Sequence, residues 1–220
     1  MLMVLCKAKT VLKYGRKNMV IDLEHLHYWM QAIRQSPDPM RTMDAFWRGQ
    51  LKSKEWLIEN LREHVNKFVT VDIHGGWVGV LASMLFQSEI PIINIRSIDI
   101  DPMCEPVAIN MNKIEEMVGK FRAVTADMCV ISSNADVIIN TSCEHITQYD
   151  YDTWLNGIPS SSLLVLQSNN YQIPEHVRTA KTLDEFKEQS NINILWSGEL
   201  ELPLYNRYMI IGRKNVTLST

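Results

Sequence analysis

The chain has 220 residues, with 22 Lys plus Arg against 25 Asp plus Glu and a formal net charge of −3. That length is about one and a half times the ~150-residue domain prior, so one domain with an appendage fits better than two domains. A content of 46% hydrophobic and 21% charged residues excludes a chain disordered throughout, and the slightly acidic balance argues against a nucleic-acid partner.

No apolar run approaches the ~18–20 residues of a membrane helix. The start, Met1 to Lys7, is too short for a signal h-region and has no basic residues before it. A cytoplasmic protein without a membrane partner is therefore expected. The four cysteines, Cys6, Cys104, Cys129 and Cys143, are far apart and form no CxxC pair or Cys/His ligand set. Neither a disulfide framework nor a metal site is expected from them. The 12 methionines read as fillers of irregular core gaps.

Residues 1–66 read as a helical cap and residues 67–220 as the main domain. From Asp22 to about Gln35, helical spacing puts Leu23, Leu26, Trp29, Met30 and Ile33 on one face. Ser36-Pro37-Asp38-Pro39 breaks the chain. A second helix is predicted from Arg41 or Thr42 to about Val65, with Gly49 inside it. Its Arg48, Lys52 and Lys54 read first as a solvated face.

From Phe68 the rhythm changes to short apolar runs alternating with helix-like segments. Strands are predicted at 68–73, 92–98, 121–124, 137–140 and 163–167, and helices at about 78–87, 103–118 and 150–157. Near-pure apolar strands fit a parallel sheet buried on both faces. The alternation predicts a doubly wound α/β fold. Two last strands, 193–200 and 205–211, flank a loop holding Pro203 and predict a C-terminal antiparallel hairpin.

The strongest local signal is Val71-Asp72-Ile73-His74-Gly75-Gly76-Trp77-Val78-Gly79. It reads as a strand, a glycine-rich turn and a helix start, where backbone N–H groups can face a nucleotide. The next strand ends Ser97-Ile98-Asp99-Ile100-Asp101-Pro102. An acid at that tip, about 20 residues after the turn, can hold both ribose hydroxyls. Asp99 fits that role, with a plain turn residue as its alternative. Asp101 before Pro102 fits a helix cap. Thr125-Ala126-Asp127-Met128 follows the third strand. Asp136 to Ile146, containing Asn140-Thr141-Ser142-Cys143-Glu144-His145, spans the fourth. Leu163 to Asn170 supplies Leu-Leu-Val-Leu-Gln-Ser-Asn-Asn on the fifth.

In this order, residues 67–212 resemble the class I S-adenosylmethionine-dependent methyltransferases. The resemblance implies a seven-stranded, mostly parallel sheet with the C-terminal antiparallel hairpin, and S-adenosylmethionine as cofactor. It implies that Asp72 and the turn at His74, Gly75, Gly76 and Trp77 hold the methionine end. It puts Asp99 on the ribose and Ile100 on an adenine face. Asp127 would take the adenine amino group, Met128 would flank the ring, and Asn140 and Thr141 would lie near the sulfonium. Here His74 replaces the family's first turn glycine, Val78 its third, and Pro159-Ser160-Ser161 stands where a Pro-Gly-Gly turn is usual.

Methyl transfer from a sulfonium asks chiefly for alignment, and for a base only when the acceptor must lose a proton. Asn140, Glu144 and His145 are the candidate catalytic residues, the Glu-His pair having a structural role as its alternative. His74 is either a cofactor contact or a space-filling turn residue. Cys143 has no partner base at a spacing that would make it a nucleophile. Tyr171 and the asparagines before it can face substrate or make a turn. The aromatic motif of amino-methylating nucleic-acid enzymes is absent after Asn140.

The expected activity is methyl transfer to a small-molecule or exposed macromolecular acceptor, whose identity the sequence does not fix. The alternatives are transfer or cleavage of another part of S-adenosylmethionine, and a partner subunit that keeps the fold without turnover. The sequence leaves the oligomeric state open.

Overall fold

The computed structural model describes residues 23–215. The chain folds into α1 (Leu23–Gln35), α2 (Pro39–Asp44), α3 (Arg48–Arg62), β1 (Val69–His74), α4 (Val80–Phe86), β2 (Ile92–Asp99), α5 (Cys104–Met111), α6 (Lys113–Met117), β3 (Phe121–Thr125), β4 (Val137–Asn140), α7 (Gln148–Gly157), β5 (Leu163–Asn169), α8 (Leu183–Ser190), β6 (Ile192–Glu201) and β7 (Asn206–Lys214). One 3₁₀ turn, Cys143–His145, follows β4. The seven strands lie in the order β3-β2-β1-β4-β5-β7-β6. The pairs from β3 to β5 are parallel, and β7 runs antiparallel to both β5 and β6. The doubly wound sheet and the closing hairpin expected from the sequence are both present.

Each strand's alternation feeds two cores. Val71, Ile73, Ile95, Ile139 and Val165 pack on one face with Leu57 and Leu61 of α3 and Leu81 and Leu85 of α4. Ile138, Leu164, Leu166 and Ile210 pack on the other with Tyr151 and Trp154 of α7 and Phe186 of α8. Every residue of β4 and β5 is buried, which explains their unbroken apolar runs. A third cluster docks Ala32 of α1 and Ala45 onto Val80, Met84, Val107 and Met111.

Three elements differ from the sequence reading. The second helix is two, because the chain turns at Ala45–Trp47. Asp38 accepts from the Arg41 N–H and Pro39 opens α2, while α3 restarts after Trp47 in an extended conformation. The break lets α2 dock near α5 while α3 packs on the sheet. The helix expected over 103–118 is split at Asn112, whose amide donates to the carbonyls of Ala108 and Gly79. Helix α8 was not expected at all. The anticipated apolar face of α1 is also only partly used: Ala32 is buried and Trp29 half-buried, but Leu23, Leu26 and Met30 are exposed.

Strand β1 carries its polar side chains on one face at a spacing of two. Thr70 and Asp136 exchange hydrogen bonds through both side chains and backbone. Asp72, buried, accepts from the Arg96 Nε at 3.0 Å, from its terminal guanidinium nitrogen, and from the Ser133 hydroxyl at 2.5 Å. His74 is fully buried, and its Nδ1 accepts the Trp154 indole N–H at 2.6 Å. The His74 proton therefore sits on Nε2, which has no partner.

Burial pushes the His74 pKa down to about 4, against a smaller opposing pull from Asp72. A neutral, buried imidazole that must charge in acid destabilises the fold as pH falls. Relative to an unfolded value near 6.5, the loss develops between about pH 6.5 and 4 and amounts to on the order of 3 kcal/mol. His74→Gln keeps an acceptor for Trp154 without a titrating ring. Urea unfolding followed across that window should show the wild type losing stability steeply and His74→Gln losing less.

Candidate functional site

The glycine turn lies at the carboxyl end of β1, next to the tips of β2 and β4. Gly75, Trp77 and Gly79 have positive φ, at 67°, 49° and 80°. For a tryptophan this left-handed backbone costs about 1–3 kcal/mol. It directs the Trp77 N–H onto Asp99 Oδ2 at 2.8 Å. Asp99 Oδ1 accepts the Asp101 N–H at 3.0 Å. Each carboxylate oxygen of Asp99 thus holds one backbone donor and keeps acceptor capacity for a further one. Gly76 donates its N–H to the Ile98 carbonyl, and a Cβ there would fall 2.0 Å from Ser97 Oγ. The turn and the β2 tip therefore pack edge to edge, and a side chain at Gly76 would have to displace the Ser97 hydroxyl and press on its Cβ, 3.2 Å away.

These elements wall a cleft of about 980 Å³ at the carboxyl edge of the sheet. That is the upper end of the ~300–1,000 Å³ usual for small-molecule sites, and the carboxyl edge is where open α/β sheets bind ligands. Of the residues proposed from sequence, Gly75, Gly76, Trp77, Asp99, Ile100, Asp127, Met128, Thr141, Glu144 and His145 line this one cleft. Tyr171 and Asn169 line it too.

Asp72, His74 and Asn140 do not. Asp72 is turned to Arg96 and Ser133, and His74 to Trp154, because even-numbered β1 side chains face α7. Asn140 is fully buried; its Oδ1 accepts the Ser142 N–H and its amide lies 3.6 Å from Met128 Sδ. These three side chains shape the loops rather than meet the cleft. Asp101 does cap a turn, accepting the Met103 N–H, but α5 starts two residues beyond Pro102. Its other oxygen pairs with Arg41 of α2 at 2.5 Å. The Met103 N–H and Arg41 hold the Asp101 carboxyl below the usual carboxylate range.

The floor is a buried polar network that the sequence did not reveal. Glu144 Oε1 accepts from Arg207 of β7 at 2.6 Å and from Asn169 of β5 at 2.5 Å. Arg207 also donates to the Thr141 carbonyl and to Gln167 Oε1, which in turn accepts from Ser53 of α3 at 3.0 Å. Both members of the ion pair are more than nine-tenths buried. Breaking such a pair from one side costs about 3–5 kcal/mol, because the remaining charge is stranded.

Lys54 is the second departure. It does not extend into solvent but lines the cleft, its ammonium donating to Gln50 Oε1 at 2.8 Å. Burial first, and Arg207 second, push its pKa down to about 7. The side chain is half-buried by surface area, so desolvation acts on its head group more than on its stem. His145 is held below the ordinary histidine value, chiefly by desolvation of its ring, against the pull of Glu144. The Cys143 thiol, fully buried, is pushed up to about 12, which removes it as a nucleophile at neutral pH.

No family model and no curated protein matches the sequence. Among solved structures, magnesium protoporphyrin IX methyltransferase from Synechocystis PCC 6803 with bound SAH is similar at a TM-score of 0.62 and 14% identity, over 88% of this chain and 95% of that one. The N-methyltransferase NodS from Bradyrhizobium japonicum WM9, in complex with S-adenosyl-L-homocysteine, gives 0.61 and 13%, over 85% and 98%. A mutant of MtNAS in complex with S-adenosylmethionine gives 0.58 and 12%, over 87% and 72%. The chain has the class I methyltransferase fold. Among the described residues no helix is long and apolar enough to cross a membrane.

The tight Gly76–Ser97 approach has a direct consequence. Gly76→Ala should lower unfolding stability by about 1–3 kcal/mol, as overpacking does. Pairing it with Ser97→Gly should recover part of that loss, and a urea double-mutant cycle measures the coupling. Independent, additive losses would show that the two residues do not press on each other.

Proposed function

We propose that this chain is an S-adenosylmethionine-dependent methyltransferase acting on a small or medium-sized acceptor. The observation that carries the reading is the convergence of the Gly75–Trp77 turn, Asp99 and Asp127 on one cleft. The fold supports it, and so do the cofactor forms seen in the similar structures.

In this reading Asp99 takes the ribose hydroxyls on the acceptor capacity left by its two backbone bonds. Ile100, 70% exposed at the β2 tip, offers an apolar face to the adenine. Asp127 takes the adenine amino group, and Met128 flanks the ring. The turn backbone and Thr141 position the methionine end. The N-terminal helices cap one side of the cleft, α2 supplying Arg41 and α3 supplying Lys54 to its wall and Ser53 to its floor.

S-adenosylmethionine supplies a methyl group on a sulfonium, whose leaving group is a neutral thioether. The chain must then hold the acceptor in line, exclude water and, where the acceptor carries a proton, remove it. Lys54 fits that last task. Its lowered pKa leaves about half of it as free amine at pH 7, near the value at which a general base works best at neutral pH. Of the turn residues that depart from the family pattern, His74 faces Trp154 outside the cleft, while Trp77 and Val78 line it, so transfer or cleavage of another part of S-adenosylmethionine stays the alternative reading.

Two measurements test the reading. Calorimetric titration with S-adenosylhomocysteine should show binding, and Asp99→Ala should weaken it by about 1.5–3 kcal/mol, roughly tenfold to a hundredfold in Kd. Absence of binding to the wild type overturns the reading. In turnover assays, kcat should rise with pH through about 7 as Lys54 loses its proton. Lys54→Met should remove that limb and lower kcat by about 10²–10⁴ for a proton-bearing acceptor. An unchanged limb would assign the base elsewhere.

A further inference from the structure

Glu144, His145 and His176 meet at the mouth of the cleft. A carboxylate oxygen of Glu144 and one ring nitrogen of each histidine lie within 4.8 Å of one another. His145 and His176 are 31 positions apart, one on the turn after β4 and the other on the loop after β5. Their rings stack edge to face at 4.6 Å between centroids.

We propose that these three residues form a binding site for one divalent transition-metal ion. Two imidazoles and a carboxylate are a ligand set that suits zinc, iron or cobalt and leaves further positions open.

Three features beyond proximity point there. The first is the tautomer of the rings. His145 Nδ1 lies 3.2 Å from the Glu175 carbonyl and His176 Nδ1 2.8 Å from the Tyr171 carbonyl. A carbonyl only accepts, so in each neutral ring Nδ1 carries the proton and Nε2 keeps the lone pair. Donation of the other ring N–H to a backbone carbonyl is the arrangement that orients a metal-binding histidine.

The second is the carboxylate. Glu144 is 3% exposed, and its Oε1 is taken by Arg207 and Asn169. Its Oε2 is buried with no hydrogen-bond partner. An unpartnered buried carboxylate oxygen is costly, and a cation beside the two imidazoles would satisfy it. Arg207 fixes the carboxylate through the opposite oxygen, so it orients this ligand as well as neutralising it.

The third is access. All three residues line the cleft, alongside Tyr171 and Ile173. Ligands around a tetrahedral ion with bonds of ~2.0–2.1 Å sit about 3.3 Å apart. From 4.8 Å or less, the ligand atoms would draw together by up to about 1.5 Å through small shifts of the two loops that carry the histidines, with both Nδ1–H···O bonds kept. An ion held there would keep open positions beside the cleft that its three ligands line, where an acceptor oxygen could complete its coordination. That second role rests on the methyl-transfer reading. The metal site does not.

The test uses the whole chain, stripped with chelator, without cofactor or acceptor. Titration with Co²⁺ followed by visible absorption, and with Zn²⁺ followed by calorimetry, should give one equivalent bound and a nitrogen-ligated cobalt spectrum. His176→Ala and His145→Ala should each weaken binding at least tenfold. His27→Ala, an exposed histidine on α1, should leave it unchanged. Near-UV circular dichroism of each variant reports whether it remains folded. Failure of the wild type to bind either ion stoichiometrically overturns the proposal, as does binding that survives both histidine substitutions. Titration of the same samples with S-adenosylhomocysteine keeps the two readings apart. Loss of cofactor binding with metal binding intact counts against the methyltransferase reading alone, and the reverse counts against the metal site alone.

Discussion

The cleft depends on one buried ion pair. Glu144 stands in the turn after β4, and Arg207 reaches it from β7, the strand inserted antiparallel beside β5. Through this pair the Thr141 carbonyl, Asn169, Gln167 and Ser53 are drawn into one hydrogen-bonded floor joining β4, β5, β7 and α3. Ion pairs of this kind contribute little net stability when compared with apolar residues of the same shape. Their geometric demand is the point. A carboxylate held from one side by a guanidinium and an amide has a fixed plane, and everything stacked on it inherits that plane.

The same logic governs the opposite wall, where the backbone does the work. The left-handed conformation at Trp77 would relax if its N–H were released from Asp99. The carboxylate, the Gly76–Ser97 approach and the Asn112 amide on Gly79 hold it together. Rigid elements on both walls enclose a half-buried lysine and two more accessible histidines between them.

Much of this was legible in the sequence. The strands announced themselves because residues buried on both faces leave apolar runs that no other element needs. That the glycine turn, Asp99 and Asp127 share one cleft was legible because all three follow strand ends at the carboxyl edge, at offsets the chain itself displays. What failed to show was the direction of side chains on β1. Asp72 and His74 sit beside the glycines in sequence, but the two-residue period turns them to the far face. Lys54 looked like any solvated lysine, since its burial comes from residues far along the chain. Arg207 and His176 were invisible for the same reason: Arg207 joins the site through Glu144, 63 residues back, and His176 through His145 on the turn after β4. Helix α8 did carry a signal, Thr182 followed three residues on by Glu185, whose N–H the Thr182 hydroxyl accepts.

The position of Arg207 also sets an order of events during synthesis. Glu144 leaves the ribosome 63 residues ahead of its counter-charge. At about 5–20 residues per second this is a wait of roughly 3–13 s. In that interval the parallel strands β1 to β5 can already pair, while the carboxylate in the turn after β4 has no guanidinium to neutralise it and stays hydrated. The floor of the cleft therefore stays wet until β7 is in place. A nascent chain halted before β7 would hold the glycine turn and the β2 tip but not the polar floor that Arg207 completes.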